Sequence, residues 1–184
     1  MIDVYTGMRR KIEMQNYYYK LLDDGTYCVT EYEGDDSDVI IPSEYGGKPV
    51  TILFDRLFKG HTEITSVRIP DSITDIGSFV FDGCINLTSV DLPSSLTNMW
   101  DYAFARSGVQ EIKLPEKVVS IVPFTFKDCK NLRKFVCNKS LKKVHPWAFH
   151  GCSNLTEFIS DEGTEVSPDA FREKELISYN RQKK

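Results

Sequence analysis

The amino-acid sequence predicts a β-rich solenoid, in which short coils of one chain stack into a rod. Two observations lead to this prediction. The stretch FDGCINLTSVDL, which begins at residue 81, returns in altered form four more times along the 184 residues. The phenylalanines that open these copies, together with a sixth, are separated by 23, 23, 22, 23 and 22 residues, and they lie at positions 58, 81, 104, 126, 149 and 171. Self-similarity at a fixed period of this length is the signature of a solenoid.

Each copy contains the spacing of a short strand. In the copy that begins at residue 81, Leu87, Val90 and Leu92 follow the pattern L-x-x-L-x-L, which turns alternate side chains inward. Pro70, Pro93 and Pro115 follow the strands of three copies, and a proline ends a sheet ladder because it has no N–H. A second apolar pair comes before the next phenylalanine. Each coil therefore has two apolar edges and an aromatic wedge, and one coil alone is not expected to fold.

The segments outside the regular copies are expected to close the ends of the rod. Residues 1–16 are weakly patterned. Residues 17–37 predict a β-hairpin cap, because the runs YYYKLL and TYCVTEY flank the turn sequence Asp23-Asp24-Gly25. The three adjacent tyrosines are also compatible with a ligand platform, although packing in the cap is favoured. The coils occupy residues 38–160, a closing coil occupies residues 161–171, and residues 172–184 form a short C-terminal helix and tail, introduced by Ser167 and Pro168.

Composition and charge describe an ordinary soluble protein. Hydrophobic residues make up 41% of the chain, and its net charge is −4 with both signs mixed along the sequence, which gives no electrostatic reason to expect nucleic acid. No segment has the apolar length needed to insert into a membrane. The first residues, MIDVYTGMRRKIEMQ, lack the apolar run of an export signal, which predicts a cytoplasmic location, or a surface or secreted one if the natural chain begins earlier. Five cysteines, an odd number, exclude a fully paired disulfide framework.

The repeat resembles that of the bacterial BspA-like leucine-rich repeat family. The family motif, L-x-x-[VIL]-x-[LI]-P followed by A-F-x-x-C, is matched in five copies, with the A-F step at residues 103–104, 148–149 and 170–171. The resemblance covers residues 17–171. It implies a curved, right-handed leucine-rich repeat solenoid that carries a parallel sheet on its concave face. It also implies a role in binding other macromolecules, commonly at bacterial surfaces.

Two copies depart from the family pattern. The third copy, which begins at residue 104, is one residue short and lacks the cysteine. In the copy that begins at residue 149, Ser160 and Asp161 stand where the first three copies have an apolar residue and a proline. This second departure predicts that the strand breaks there and that the array is closing.

The cysteines and histidines are predicted to be structural. Cys84, Cys129 and Cys152 occupy one repeat position, and no C-x-x-C pair accompanies them, so a column of buried thiols is favoured over a metal site. A disulfide between Cys129 and Cys152 is geometrically possible under oxidising conditions only. The histidines at positions 61, 145 and 150 form no triad-like pattern with a nucleophile. We therefore predict a noncatalytic protein without a metal or a cofactor.

Asparagines that precede the strand leucine recur at positions 86, 131 and 154. Their amides are expected to bond the backbone of the adjoining coil in buried turns. Asn86, Asn138 and Asn154 also match the glycosylation pattern N-x-[ST], but two of these matches follow from the repeat itself. Glycosylation is therefore not expected.

The strand residues that face away from the core are the candidate partner-binding residues. Charges of opposite sign alternate between neighbouring coils, so one interpretation is that cross-strand pairs stabilise and register the sheet. The other is that Val136 and Ile159, exposed beside charged residues, form a mixed surface suited to a partner. In coil order the two rows are Ser66, Ser89, Glu111, Lys134 and Glu157, and Arg68, Asp91, Lys113, Val136 and Ile159. The candidates taken from them are Arg68, Asp91, Glu111, Lys113, Lys134, Val136, Glu157 and Ile159.

Two functions fit these observations. The favoured hypothesis is a noncatalytic interaction module that binds a protein or peptide on its concave sheet, especially on the later coils. The alternative is a fragment of a bacterial surface protein that recognises host matrix or glycan. This alternative follows from the family resemblance alone.

Overall fold

The computed structural model describes residues 16–171 and 179–182, the last four through their backbone. The described residues form strands and turns, and they contain no α-helix. The strands are β1 (Asn16–Leu21), β2 (Tyr27–Glu33), β3 (Asp38–Ile40), β4 (Glu44–Tyr45), β5 (Lys48–Leu53), β6 (Ser66–Arg68), β7 (Asp75–Ile76), β8 (Ser89–Asp91), β9 (Asn98–Met99), β10 (Glu111–Lys113), β11 (Ser120–Ile121), β12 (Lys134–Val136), β13 (Lys143–Val144), β14 (Glu157–Asp161), β15 (Glu165–Val166) and β16 (Tyr179–Gln182).

Successive coils pair their strands in parallel on two sides of the stack, which confirms the predicted solenoid. We call the ladder of β3, β6 and β8 together with that of β10, β12, β14 and β16 the front sheet. The ladder of β2, β5, β7 and β9 together with that of β11, β13 and β15 is the back sheet. Residues at the same repeat position are neighbours in register on adjacent strands, as Val67 and Val90 are in the front sheet.

A third side of the stack is formed by the turns that contain the repeat phenylalanines, and we call it the aromatic edge. The N–H of each phenylalanine from Phe58 to Phe149 donates to a backbone carbonyl of the next coil, at 2.7 to 3.0 Å. The phenylalanine rings stack with 5.0 to 5.5 Å between neighbouring centroids, and the first five rings are fully buried. The predicted aromatic wedge is thus a continuous column, formed by Phe58, Phe81, Phe104, Phe126, Phe149 and Phe171.

The amino-terminal hairpin covers the first coil, as predicted. Strands β1 and β2 pair antiparallel, and Gly25 supplies the positive φ of 82° that their connecting turn requires. Strand β2 then pairs in parallel with β5, so the hairpin continues the back sheet. Tyr32 packs its ring 5.1 Å from that of Phe58 and thereby caps the phenylalanine column. Of the adjacent tyrosines, Tyr19 stacks on Tyr45 at 4.0 Å, which fixes it within the cap.

The carboxyl-terminal end differs from the prediction in two ways. Strand β14 continues through Ser160 and Asp161, which were expected to break it, and Ser160 is buried. Residues 179–182, which belong to the segment expected to form a short helix and tail, instead form β16 beside β14. An extended segment there satisfies backbone groups that the last coil would otherwise leave at an open sheet edge. Ser167 and Pro168 lie in a turn, in which the Ala170 N–H donates to the Ser167 carbonyl at 3.0 Å.

Parts of two predictions lie outside the described residues. They are the weakly patterned amino-terminal segment, apart from residue 16, and the helix expected over residues 172–178.

The short third copy interrupts both sheets between the same two coils. Strand β8 does not pair with β10, and β9 does not pair with β11, within the described part of the chain. We call this interruption the seam. The turn of the short copy lies very close to the preceding coil, because a Cβ atom on Gly108 would be 2.2 Å from the carbonyl oxygen of Ile85. The Gln110 N–H donates to the Thr88 carbonyl at 3.3 Å across the seam, and the aromatic edge runs through it unbroken.

Candidate partner-binding surface

The front sheet carries the predicted outward residues in two rows. In β3, β6, β8, β10 and β12 the central residue is buried, as Val90 is in β8, and the residues on either side of it face outward. In β14, Phe158 is buried between the more exposed Glu157 and Ile159. The structure brings six of the eight candidates together on β10, β12 and β14. Arg68 and Asp91 face each other in register on β6 and β8, across the seam from the other six. In the larger group the register matches Glu111 with Lys134 and Glu157, and Lys113 with Val136 and Ile159.

One row forms the cross-strand charge pairs that alternating signs had suggested. The Lys134 Nζ lies 3.4 Å from a Glu111 carboxylate oxygen and 3.5 Å from a Glu157 carboxylate oxygen. The negative charges of Glu157 and Glu111 raise the pKa of Lys134 above its ordinary value. All three side chains remain substantially exposed, so solvent screens the attraction and these pairs contribute little to stability. They hold three charged groups in fixed positions on the surface.

The other row keeps its charges unpaired. Arg68, Asp91 and Lys113 are exposed, and none of them forms a salt bridge with another described residue. Arg68 and Asp91 are neighbours in register, so the backbone places opposite charges side by side without joining them. Charged groups of this kind are free to pair with groups on another molecule.

A cleft of 480 Å³ opens in the front sheet at the seam. Its walls come from both sides of the interruption, with Asp91 on β8 and Glu111 and Lys113 on β10. Lys134 and Val136 on β12 complete the lining at the far side. The cleft thus lies where β8 and β10 are not paired.

The two apolar candidates, Val136 and Ile159, are less exposed than predicted from the sequence. Val136 and Ile159 are half-buried, and they line a smaller cleft of 120 Å³ together with Asn138 and Asp161. The lining also includes Cys137, and burial raises the pKa of its thiol to about 12, with a smaller contribution from Asp161. A thiol of this kind stays protonated at neutral pH and is a weak nucleophile.

The repeat cysteines form a column of buried thiols, as predicted. Cys84, Cys129 and Cys152 each lie 3.0 Å from the carbonyl oxygen of a phenylalanine in the preceding coil, to which the thiol donates. Burial raises the pKa of Cys84 to about 12. Within the described part of the chain, all five cysteines are thiols that form no disulfide. In the short copy, Ser107 takes the cysteine position and is also buried.

One histidine and two of the repeat asparagines form side-chain contacts with nearby groups. His61 is half-buried, and its Nδ1 lies 2.5 Å from a Glu63 carboxylate oxygen. No group of three or more potential metal ligands occurs in the described portion of the chain. Asn86 and Asn154 donate to backbone carbonyls of the preceding coil at 2.7 Å, as predicted, but the two residues are exposed rather than buried. Asn138 is buried and donates to the carbonyls of two residues in the preceding coil.

Two features of the aromatic edge were not predicted from the sequence. Phe79, Tyr102, Phe124 and Trp147 form an outer ladder, with 4.7 to 5.3 Å between neighbouring ring centroids. All four residues have φ near +60°, a conformation that is costly for bulky side chains. The signal was available, since an aromatic residue stands two positions before four of the repeat phenylalanines.

The second unpredicted feature is a buried carboxylate. Asp82 is 1% exposed, and its carboxylate lies 2.7 Å from Arg106 Nη2 and 3.8 Å from Lys59 Nζ. Burial raises the pKa of Asp82 above its ordinary value, and the two nearby cations oppose this shift only in part. The Lys59 ammonium also lies 5.0 Å from the Phe79 ring centroid, so it connects the carboxylate with the outer ladder.

The stacked coils, their parallel front sheet and the phenylalanine column define a leucine-rich repeat solenoid. The sequence model of the BspA type Leucine rich repeat region matches residues 51–177 in six copies, and the chain belongs to this family. No curated protein sequence matches the chain significantly.

Solved structures of bacterial proteins share the fold. A Leucine Rich Repeat protein from T. pallidum is 25% identical, with a TM-score of 0.65, and the match covers 82% of each chain. A leucine rich cell surface protein from Faecalibacterium prausnitzii is 25% identical, with a TM-score of 0.63, over 85% of this chain and 51% of that one. A leucine-rich repeat protein from Bacteroides capillosus is 27% identical, with a TM-score of 0.59, over 66% and 93%.

A search for membrane-spanning helices among the described residues finds none of sufficient length and apolarity.

Proposed function

We propose that the chain is a noncatalytic binding module whose repeat domain, residues 17–171, holds a protein or peptide on its front sheet. The observation that carries the proposal is the 480 Å³ cleft at the seam, which is lined by four charged candidates and one apolar candidate. Clefts of roughly 300 to 1,000 Å³ are typical of sites that hold small molecules, and a side chain of a bound polypeptide needs less. The contacts proposed on this sheet are Arg68, Asp91, Glu111, Lys113, Lys134, Val136, Glu157 and Ile159.

The chemistry of the cleft favours a polypeptide partner. Two carboxylates, of Asp91 and Glu111, and two ammonium groups, of Lys113 and Lys134, surround the opening. Such a mixture of both signs gives orientation and specificity rather than attraction to one charge type. Val136 adds the apolar contact that interface centres usually contain. A peptide with both acidic and basic side chains fits this arrangement better than nucleic acid does.

Selection of peptides from a displayed library on the immobilised protein tests the proposal. We expect the enriched peptides to lose at least about tenfold in affinity for the double variant Lys134→Glu plus Val136→Asp, since reversing a charge and charging an apolar contact act on the same cleft. Affinities for purified peptides are to be measured by calorimetry. The matched control is Lys143→Glu plus Val119→Asp. Lys143 also forms an ion pair, with Glu165 at 3.1 Å, and Val119 is exposed, but both residues belong to the back-sheet side of the coils.

The back-sheet double variant separates loss of the cleft from a change in net charge. Unchanged peptide binding by a correctly folded front-sheet variant would remove this sheet from consideration. Equal losses in the two double variants would show that binding depends on net charge alone.

A second function is favoured by one comparison. The similarity to a leucine rich cell surface protein supports a place at a bacterial surface, and we propose host matrix or glycan as the ligand there. A glycan array probed with the protein and with the front-sheet double variant tests this function. Binding of defined glycans that the double variant loses supports it, and an array without signal, together with positive peptide selection, argues against it.

A further inference from the structure

A second cavity lies away from the front sheet, at the end of the back-sheet strands. Its volume is 440 Å³, and two exposed aromatic residues, Phe54 and Trp100, take part in its lining. Phe54 is 46% exposed and Trp100 is 49% exposed, whereas the repeat phenylalanines that follow them are fully buried. We call this cavity the Phe54–Trp100 pocket. Exposing two large aromatic side chains beside one cavity is a costly arrangement that binding sites commonly contain.

The pocket exists because one coil contributes no side chain at the shared position. Phe54 and Trp100 occupy the same place in coils that are two apart, four residues before a repeat phenylalanine, and Gly77 occupies it in the coil between them. A Cβ atom at Gly77 would lie 2.6 Å from a carboxylate oxygen of Asp55 and 2.9 Å from the Leu53 carbonyl oxygen. Glycine is therefore required there, and about 10 Å separates the two aromatic positions, at roughly 4.8 Å for each coil.

Two carboxylates are fixed beside the rings. Asp55 accepts a hydrogen bond from the Ser78 N–H at 2.8 Å. Asp75 accepts from the Thr74 hydroxyl at 2.7 Å and from the Asn98 amide at 2.8 Å. These bonds position the carboxylates without neutralising them. Both line the pocket, and no lysine or arginine belongs to its lining among the described residues.

The nearest cation along the chain is directed elsewhere. Arg56 follows Asp55 directly, but its guanidinium carbon lies 5.7 Å from the Phe79 ring centroid, on the outer aromatic ladder. The pocket thus combines aromatic faces with uncompensated negative charge. This combination selects an organic cation, because aromatic rings attract cations through their quadrupoles and carboxylates pair with them directly.

We propose that the Phe54–Trp100 pocket binds an arginine side chain presented by a partner polypeptide. A guanidinium is planar and stacks on aromatic faces, and it can donate two parallel hydrogen bonds to a carboxylate, which a lysine ammonium cannot do. The net charge of −4 of the whole chain also favours a basic partner. This site is separate from the front sheet. Arginine binding in the pocket can therefore be disproved while peptide binding on the front sheet stands, and peptide binding on the front sheet can be disproved while arginine binding stands.

Titration of the ¹⁵N-labelled protein with the peptide acetyl-Gly-Arg-Gly-amide, followed by NMR, tests the proposal. We expect saturable shifts of the Gly77 and Ser78 amides and of the Trp100 indole N–H, with a dissociation constant on the order of 1 mM for a single side chain. The citrulline peptide has nearly the same shape without the charge, and we expect its affinity to be at least about fivefold lower than that of the arginine peptide. The lysine peptide is expected to bind more weakly than the arginine peptide.

Two variants and two matched controls localise the binding. Asp55→Asn keeps an acceptor for Ser78 but removes the charge, and Trp100→Ala removes one ring. Each is expected to weaken arginine-peptide binding about fivefold or more. Asp71→Asn is the carboxylate control, because Asp71 accepts the same kind of bond, from the Ser94 N–H at 2.8 Å. Trp147→Ala is the tryptophan control, since Trp147 is 47% exposed. Both controls are expected to stay within about twofold of the unchanged protein.

Three results would overturn the proposal. The first is an absence of shifts at Gly77 and Ser78 with peptide at about 20 mM, well above the expected affinity. The second is equal binding of the citrulline and arginine peptides. The third is an equal effect of the pocket variants and their controls in spectra that otherwise match the folded protein. Maltose serves as a neutral probe, and saturable binding of maltose without binding of the arginine peptide would assign the pocket to sugars instead.

Discussion

The two sheets and the aromatic edge belong to the same coils, but they respond differently to the short third copy. Both sheets lose their pairing at the seam, whereas the phenylalanine column crosses it with its closest spacing, 5.0 Å between Phe81 and Phe104. The Phe81 N–H also donates to the Ala103 carbonyl there at 2.7 Å. Stacked rings and their backbone bonds tolerate a missing residue that strand pairing does not. The aromatic edge is thus continuous at the seam, where the two sheets are not.

The seam also shows how the repeat creates a surface feature. A solenoid with perfect copies presents a closed front sheet, in which every strand is paired with both neighbours. In this chain the front sheet is interrupted at the short copy, and the cleft with its charged lining lies at the same place.

The largest effect is expected from truncating the phenylalanine at the seam. Phe104→Ala should lower the free energy of unfolding by about 3 to 5 kcal/mol, because it leaves a cavity in a fully buried column where no strand pairing compensates. Urea denaturation followed by circular dichroism measures the change. Phe104→Leu serves as a control that keeps most of the volume. A loss below about 1 kcal/mol for the alanine variant would contradict the stacking described for this ring.

A smaller effect is expected in the outer ladder. Tyr102 stacks between Phe79 at 4.7 Å and Phe124 at 4.9 Å, but it is half-buried, so Tyr102→Ala should cost about 1 to 2 kcal/mol. The backbone of Tyr102 has φ of 59°, which glycine adopts without strain. Tyr102→Gly should therefore be about 1 kcal/mol more stable than Tyr102→Ala. The same denaturation measurement decides the order, and the reverse order would show that the left-handed backbone is not present in solution.

The subtlest prediction concerns pH and the buried carboxylate of the aromatic edge. Burial raises the pKa of Asp82 in the folded protein, so the folded state holds this proton more tightly than the unfolded state does. Folding stability from this group is then greatest when the carboxyl is protonated, and it falls as the pH rises from the ordinary value of 3.8 through the raised pKa of Asp82.

Replacement by a neutral isostere isolates this effect. The unfolding free energy of Asp82→Asn, relative to the unchanged protein, should increase across that pH interval and level off above it. Urea denaturation at a series of pH values provides the measurement. A difference that decreases with pH would mean that the Arg106 and Lys59 charges outweigh burial, which would lower the pKa of Asp82 instead.

The sequence was sufficient for the parts of the fold that repeat. The spacing of Phe58 to Phe171, the strand pattern and the cysteine column each recur several times, so chance agreement is excluded and neighbouring copies explain one another. The outward direction of the front-sheet residues followed from strand alternation alone. Their role in binding stays a prediction.

The remaining features depend on contacts between residues far apart in sequence. Asp82 pairs with Arg106 in the next coil, and the cleft is lined by strands on both sides of the seam. The carboxyl-terminal strand β16 was missed because the helix was predicted from the start signal at Ser167 and Pro168, whereas β16 is defined by its pairing with β14. The Phe54–Trp100 pocket was missed because a glycine in a turn gives no signal about the side chains on either side of it.

The most direct test of the continuous aromatic edge is a nuclear Overhauser experiment on protein labelled at phenylalanine. Centroid distances of 5.0 to 5.5 Å place protons of neighbouring rings in close contact. We predict cross-peaks between consecutive rings of the column, including Phe81 and Phe104 across the seam. Cross-peaks on both sides of the seam but none between Phe81 and Phe104 would contradict the account, because the coils would then form two separate stacks.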